Sequence, residues 1–221
     1  MKILITGGLG YIGSKLTEKL LEEKHKLILL DANWFGNFLP SSVKKNKNLR
    51  IIIDSINNIS KYKLKHIDTI IHLANVANDP AGDLDSKITW EVNSLQTKGF
   101  IEYAIKNKIK RFIYASSGSV YGVKKEKKVH EDLDLVPISD YNKTKMVSER
   151  ILLSYKNKIQ IKIVRPATVC GFSSKMRLDL SVNMLTIQAL KNKRITLFGG
   201  SQIRPNININ DMVNVYIHML N

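Results

Sequence analysis

The sequence has few of the features that mark disulfide-bonded, metal-binding or membrane proteins. Its single cysteine, Cys170, excludes an intrachain disulfide and cannot build a metal site alone. The five histidines are scattered without the spacing of metal ligands. No apolar run approaches the roughly 20 residues that span a bilayer, and no apolar signal region precedes the first predicted strand. We therefore expect a soluble, cytoplasmic protein without a metal site.

Acidic residues are also scarce, with 19 against 35 basic ones, so the formal net charge is +16. A basic protein of this size could bind nucleic acid. The lysines, however, fall in dispersed clusters typical of loops and solvated helix faces, such as Lys61 to Lys65 and Lys124 to Lys128. A biased coding composition would also explain them. We expect no nucleic-acid partner, although a positive field would attract dinucleotides and sugar nucleotides.

The order of apolar runs predicts the fold class. A chain of 221 residues can hold one α/β domain with some residues left over. Strand-like runs alternate with helical patterns, which predicts a Rossmann-like, doubly wound parallel sheet. The predicted strands are Lys2 to Thr6, Lys26 to Leu30, Leu49 to Ile53, Asp68 to Ala74 and Arg111 to Ala115. A turn is predicted at Asn78-Asp79-Pro80, and a long helix from about Lys87 to Asn107.

The first 31 residues carry the strongest motif. The first strand runs into a glycine turn at residues 7–13, and a helical pattern follows from Ser14 to Lys24. This order is typical of a dinucleotide-binding βαβ unit, in which glycines admit a pyrophosphate and the helix N-terminus supplies donors. Asp31 ends the second strand, where an acid that binds ribose hydroxyls is expected. Because its carboxylate would repel a 2′-phosphate, NAD is favoured over NADP.

The glycine spacing fits two registers. One is Gly8-x-Gly10-x-x-Gly13, the general fingerprint, and the other begins at Gly7 and shares Gly10 and Gly13. Alone, either pattern could be an ordinary tight turn. The strand before it, the helix after it and the acid beyond it make cofactor binding the better interpretation.

A second cluster follows the fifth strand. Hydroxyl side chains fill Ser116 to Gly122, and Tyr141 and Lys145 then lie four residues apart on a predicted helix, so they share a face. A free tyrosine has a pKa of about 10, too high for a base at neutral pH. A neighbouring ammonium favours the phenolate, and Ser117 could bind the substrate oxygen whose proton Tyr141 takes. A lone Tyr-x-x-x-Lys could be a chance surface pair, but the preceding motifs favour catalysis.

Four stretches together resemble the extended short-chain dehydrogenase/reductases, the NAD-dependent sugar-nucleotide epimerases and dehydratases. They are Thr6 to Gly13, Ile71 to Ala74, Ser116 to Gly122 and Tyr141 to Lys145. The resemblance covers nearly the whole chain and implies a sixth strand at Ile159 to Val164. It also implies an NAD-binding Rossmann domain over 1–171. Residues 172–221 would form a partial substrate-binding lobe, interleaved with the last part of the Rossmann sheet.

The resemblance implies roles for individual residues. The catalytic triad would be Ser117, Tyr141 and Lys145. The cofactor contacts would include these last two residues and Gly7, Gly10, Tyr11, Ile12, Gly13, Asp31, Asp54, Ser55, Leu73, Ala74, Asn93 and Pro166. The substrate-binding residues would be Ser117, Ser119, Asn183 and Arg204, the last two on a diphosphate. Asn183 could instead be a helix cap or turn residue, and Arg204 a solvent-exposed charge.

Two positions indicate which reaction is expected. Sugar 4,6-dehydratases carry an Asp-Glu pair directly after the catalytic hydroxyl, whereas this chain has Gly118-Ser119. The resemblance therefore implies a 4-epimerase of a nucleotide sugar that forms a transient 4-keto intermediate. A nucleotide keto-sugar reductase using NAD(P)H is the alternative. A non-catalytic NAD-binding or nucleic-acid-associated regulator is a further one.

The chain departs from the common pattern of the family in two ways. Cys170 replaces a more usual tyrosine, Thr168 replaces a frequent asparagine, and Ala77 lies where some epimerases have a lysine. These departures leave the sugar open. The chain also stops at Asn221, where family members continue, so we expect a truncated substrate lobe. The resemblance further implies a homodimer that packs two long helices, from about Lys87 to Asn107 and from Tyr141 to Tyr155.

Overall fold

The computed structural model describes residues 1–77 and 84–221, so the predicted turn at Asn78-Asp79-Pro80 lies outside the described residues. The strands are β1 (Lys2–Thr6), β2 (Lys26–Asp31), β3 (Leu49–Ile53), β4 (Thr69–His72), β5 (Arg111–Ala115), β6 (Gln160–Val164), β7 (Thr168–Cys170) and β8 (Asn206–Asn208). The helices are α1 (Tyr11–Glu22), α2 (Ser41–Lys44), α3 (Ser86–Trp90), α4 (Gln96–Lys106), α5 (Asp140–Leu153), α6 (Ser181–Asn192) and α7 (Ile209–His218). Among the helices described, none is long and apolar enough to cross a membrane.

The main sheet is parallel, with the strand order β3-β2-β1-β4-β5-β6. This confirms the predicted Rossmann-like, doubly wound fold. The order reverses between β1 and β4, and in such sheets a ligand binds at that point, beyond the carboxyl ends of the strands. The predicted bounds of β1, β3 and β5 match those observed, whereas β4 is shorter than predicted at both ends.

Side chains of β1 alternate between two apolar layers, because successive residues of a strand face opposite sides of the sheet. Ile3 and Ile5 pack in one layer, and Leu4 packs in the other. Helix α7 packs against α1 and buries Met212 and Tyr216 in the layer of Ile3. Residues 209–220 therefore cover one face of the main sheet, while β7 and β8 form a small parallel sheet of their own. The division into domains at residue 171 stays a prediction.

The predicted long helix is interrupted. Between α3 and α4 the chain forms a π-helical turn at Glu91–Leu95, with Asn93 buried inside it. Its side-chain amide accepts from the Val76 N–H at 2.8 Å and donates to the Val76 carbonyl at 3.1 Å and to Thr144 Oγ1 at 3.0 Å. The π turn thereby links the chain after β4 to α5. A π turn of this kind often marks a functional site.

The glycine turn generates a stability prediction. A Cβ atom on Gly13 would lie 2.2 Å from the Gly7 carbonyl oxygen and 2.8 Å from the Gly8 Cα, whereas one on Gly99 in α4 would meet nothing within 4 Å. Gly13→Ala should therefore lower the free energy of unfolding by about 1 to 3 kcal/mol. Gly99→Ala should raise it by up to about 1 kcal/mol through helix propensity. Urea denaturation measures both, and equal effects would contradict the close packing described here.

Candidate active site

The glycine turn brings β1 against the end of β4. Gly7 has φ of 68°, and a Cβ atom there would lie 2.7 Å from the Ala74 nitrogen. A Cβ on Gly10 would meet only the Gly7 carbonyl oxygen, at 3.2 Å. Backbone contacts therefore require glycine at Gly7 and Gly13, whereas a Cβ on Gly8 would meet the side chain of Leu29, at 2.7 Å. This difference favours the register that begins at Gly7. Ala74 is also held here, because its N–H donates to Thr6 Oγ1 at 3.3 Å.

The first turn of α1 begins directly after Gly10 and contains Gly13. Gly10 is the N-cap and offers no capping side chain. The N–H groups of Tyr11, Ile12 and Gly13 fall in the first turn, where an α-helix has no carbonyl partners for them. Such a terminus favours an anion through its donors and its dipole. The arrangement fits a dinucleotide pyrophosphate.

Asp31 lies beside this turn at the end of β2. One carboxylate oxygen accepts from the Leu9 N–H at 2.9 Å, and the other accepts from the Asn33 N–H at 2.8 Å. The acid predicted to bind ribose is therefore fixed against the glycine turn. Together, the turn, the helix N-terminus and this acid fit NAD.

Asp54 and Ser55, two further predicted cofactor contacts, follow β3. The Asp54 carboxylate accepts from the Ser55 N–H, from Asn58 Nδ2 and from the Tyr62 hydroxyl, each at 2.7 Å. These hydrogen bonds, led by that from Asn58, hold the pKa of Asp54 below its usual range. Asp54 thus shapes the loop after β3, and a contact with the cofactor stays a prediction.

Tyr141 and Lys145 lie in α5, and both are buried. The Lys145 ammonium donates to the Ala115 carbonyl at 2.7 Å and lies 5.0 Å and 5.8 Å from the ring centroids of Tyr114 and Tyr141. Burial lowers the pKa of Lys145 to about 7, while the Glu149 carboxylate opposes this shift. The predicted helix-face pair is therefore an internal one at the end of β5.

A chain of hydrogen bonds connects the serine-rich loop to the first turn of α5. The Ser117 and Ser119 hydroxyls are hydrogen-bonded at 2.6 Å, and the Ser119 hydroxyl donates to Asn142 Oδ1. Asn142 follows Tyr141 directly, so the loop is tied to the first turn of α5. On the other side, the Gly118 N–H donates to the Pro166 carbonyl at 2.8 Å. The loop carrying Ser117 is thus fixed between α5 and the chain after β6.

Gly118 is where a dehydratase would carry an acid. A Cβ atom there would lie 3.0 Å from the Pro166 carbonyl oxygen, which is closer than nearly all such contacts. Ser119, at the second position, is engaged with Ser117 and Asn142. The geometry of both positions therefore disfavours the dehydratase pair.

The two residues predicted to bind a diphosphate have different surroundings. Asn183 is buried, accepts from the Gly171 N–H at 2.9 Å and donates to the Tyr11 hydroxyl at 3.2 Å and the Arg177 carbonyl at 2.9 Å. Arg204 is exposed, and in the described part of the chain its guanidinium has no hydrogen bond or ion pair. Asn183 therefore ties the chain after β7 to α1, and both substrate roles stay predictions.

Residues 171–180, which we name the strap, contact three segments at the carboxyl edge. The Ser173 hydroxyl donates to the Tyr11 carbonyl, and the Ser174 hydroxyl donates to Glu18, at 2.7 Å and 2.6 Å. The Lys175 ammonium lies 5.2 Å and 5.1 Å from the ring centroids of Phe35 and Phe38. The strap therefore connects the start of α1 to the loop after β2. Its third contact is Arg177 Nη1, which donates to the Ala77 carbonyl at 3.4 Å.

Two buried groups at this edge were not predicted from the sequence. His72 bridges Thr6 Oγ1 at 2.6 Å and Thr97 Oγ1 at 3.0 Å, and burial lowers its pKa to about 3, so the imidazole is neutral. Glu149 pairs with Arg165. A signal for Glu149 was present, because it lies one helical turn after Lys145 and so on the same face. His72 carried no such signal beyond its place at the end of a strand.

Comparison with known proteins identifies the family. A model of the NAD dependent epimerase/dehydratase family matches residues 3–221. An uncharacterized UDP-glucose epimerase of Bacillus subtilis is 34% identical over 225 residues, which cover 96% of this chain and 70% of that protein. A UDP-glucose 4-epimerase of Lactobacillus helveticus is 26% identical, over 98% of this chain and 71% of that one. The chain belongs to the NAD dependent epimerase/dehydratase family.

Solved structures agree with this assignment. The UDP-glucuronic acid 4-epimerase of Bacillus cereus, in complex with UDP-glucuronic acid and NAD, superposes with a TM-score of 0.88 at 30% sequence identity. The match covers 100% of this chain and 73% of that one. The cofactor of the family is NAD, as Asp31 indicated.

The burial of Lys145 leads to a prediction about stability and pH. Its pKa of about 7 in the folded protein lies below the value of about 10.4 in an unfolded chain, so the unfolded state binds more protons between these values. Raising the pH from 7 to 10 should therefore stabilise the wild type relative to Lys145→Met, by about 1.4 kcal/mol for each unit of pKa difference. Urea denaturation at several pH values measures this. Lys143→Met, on an exposed position of α5, is the control, and a difference that does not change with pH for Lys145→Met would contradict the prediction.

Proposed function

We propose that this protein is an NAD-dependent epimerase that inverts carbon 4 of a UDP-sugar. The observation that carries the proposal is the buried pair Tyr141 and Lys145, connected through Asn142 and Ser119 to Ser117 at the carboxyl edge of the sheet. The glycine turn that fits NAD lies at the same edge. Bound NAD would supply the hydride acceptor for oxidation of carbon 4 and the donor for its reduction.

The side chains divide the proton chemistry among them. The Lys145 ammonium favours the phenolate of Tyr141, which then accepts the proton of the sugar 4-hydroxyl. Ser117, whose hydroxyl otherwise donates to Ser119, would turn to donate to the same oxygen and steady it as it becomes a carbonyl. After the transient 4-keto sugar presents its other face, Tyr141 returns the proton. The net reaction consumes no cofactor.

Other residues would bind NAD or hold the segments that surround it. The first turn of α1 would bind the pyrophosphate and Asp31 the adenosine ribose, and Lys145 would also contact the nicotinamide ribose. The side-chain amide of Asn93 is engaged with Val76 and Thr144. We propose that Asn93 acts through those contacts, by holding the chain after β4 against α5.

The alternatives have weaker support. A keto-sugar reductase would use the same three side chains, but the three relatives named above are a UDP-glucose epimerase, a UDP-glucose 4-epimerase and a UDP-glucuronic acid 4-epimerase. A non-catalytic regulator would not need the buried lysine, which costs free energy in the folded state. The crowding at Gly118 argues against a 4,6-dehydratase.

The assembly and location of the protein remain part of the proposal. We propose a homodimer in which residues 86–106 and α5 of one copy pack against the same segments of a second copy. Leu95, Ile88 and Leu153 support it, because these large apolar side chains on the two helices are 66%, 44% and 45% exposed. The cytoplasmic location is likewise a prediction.

Turnover by a tyrosine variant tests the proposed function. Tyr141→Phe removes the hydroxyl that moves the proton, so kcat for a UDP-sugar should fall by a factor of about 10² to 10⁴. Binding of NAD and of the UDP-sugar, measured by calorimetry, should persist. Tyr155→Phe, which loses only an exposed hydrogen bond to Glu102, should keep the wild-type kcat. Unchanged turnover in Tyr141→Phe would refute the assignment of the base.

A further inference from the structure

Glu149 is a buried carboxylate that the reaction described above does not use. Its side chain is 2% exposed. Arg165 donates to it from Nε at 3.0 Å and 3.2 Å and from Nη2 at 2.7 Å, and the Ser116 hydroxyl donates to Oε1. One carboxylate of α5 thus holds the end of β5 and the chain directly after β6.

Both partners of Glu149 adjoin the residues that fix the serine loop. Ser116 precedes Ser117, and Arg165 precedes Pro166, whose carbonyl accepts from the Gly118 N–H at 2.8 Å. A displacement of the Glu149 carboxylate would therefore move Ser117 both through Ser116 and through the contact between Pro166 and Gly118. Glu149 is hydrogen-bonded to Ser116 and Arg165, and each of these directly precedes a residue that carries or holds the loop.

The charge of Glu149 also acts on Lys145, one helical turn earlier. The other titratable groups that face Lys145 are Tyr141 on α5, Tyr114 on β5 and His72 on β4. His72 is neutral, and burial raises the pKa of Tyr114. Glu149 is therefore an anion on the same helix face that balances the buried ammonium.

Stability alone is a poor explanation for this arrangement. A buried ion pair commonly gains little over apolar residues of the same size, because removing both charges from water costs as much as their attraction returns. Here the carboxylate instead connects a catalytic serine and a catalytic lysine. We propose that Glu149 is a positioning residue: its carboxylate holds the loop of Ser117 from both ends and presents a negative charge one helical turn after Lys145. This inference rests on the proposed function.

The protonation of Lys145 can be measured without turnover. In protein labelled with ¹³C at the lysine ε-carbon, one signal should titrate near neutral pH and be absent from Lys145→Met. Glu149→Gln removes the balancing charge and should move that midpoint down by about one unit. Arg165→Gln frees the carboxylate from its guanidinium partner and should move the midpoint up. Glu149→Asp keeps the charge and should stay near the wild-type midpoint.

A purely structural role predicts a different result. Both Gln variants break the same ion pair, so both would lose stability while the Lys145 midpoint stayed in place. The proposal is overturned if either variant folds and leaves the midpoint unchanged. In the pH profile of kcat, Glu149→Gln should shift the alkaline limb to lower pH, because Lys145 loses its charge earlier. Since the titration needs no substrate, its outcome is separate from that of the proposed function: a wild type without turnover refutes the function, and an unmoved midpoint refutes the role of Glu149.

Discussion

The arrangement of the site depends on one buried charge. An ammonium removed from water needs partners, and that of Lys145 finds the Ala115 carbonyl, two aromatic rings and the field of Glu149. These contacts fix α5 across the end of β5. Because Tyr141 lies one turn earlier on the same face, its place at the carboxyl edge follows from them. The proposed catalysis by a lysine-assisted tyrosine and the packing of α5 therefore depend on the same interaction.

The glycine turn constrains the part of the carboxyl edge where NAD is proposed to bind. Gly7 and Gly13 let β1, α1 and the end of β4 approach more closely than any side chain would allow. This closeness puts the helix N-terminus and Asp31 beside each other. The strap then connects α1 to the loop after β2, so the chain after β7 adjoins both sides of the proposed cofactor site.

Much of the fold could be predicted, because buried parallel strands are short apolar runs and a glycine turn has few structural uses. The π turn around Asn93 could not, since one extra residue barely alters a helical pattern. The hydrogen-bond partners of Asp54 and Asn183 could not be predicted either. The sequence shows that a side chain can donate or accept a hydrogen bond, but not which group it meets in the fold. For Glu149 the sequence offers only its place on the helix face of Lys145, because its partner Arg165 lies after β6, far away along the chain.

The fate of the hydrogen on carbon 4 tests the central claim most directly. The protein would be incubated with UDP-glucose or UDP-glucuronic acid deuterated at carbon 4, without added cofactor, and the products analysed by NMR. An epimerase that removes and returns this hydrogen within one closed site should give the 4-epimer with its deuterium retained. Epimer with solvent hydrogen at carbon 4, or product formed only when NAD(P)H is supplied and consumed, would contradict the account.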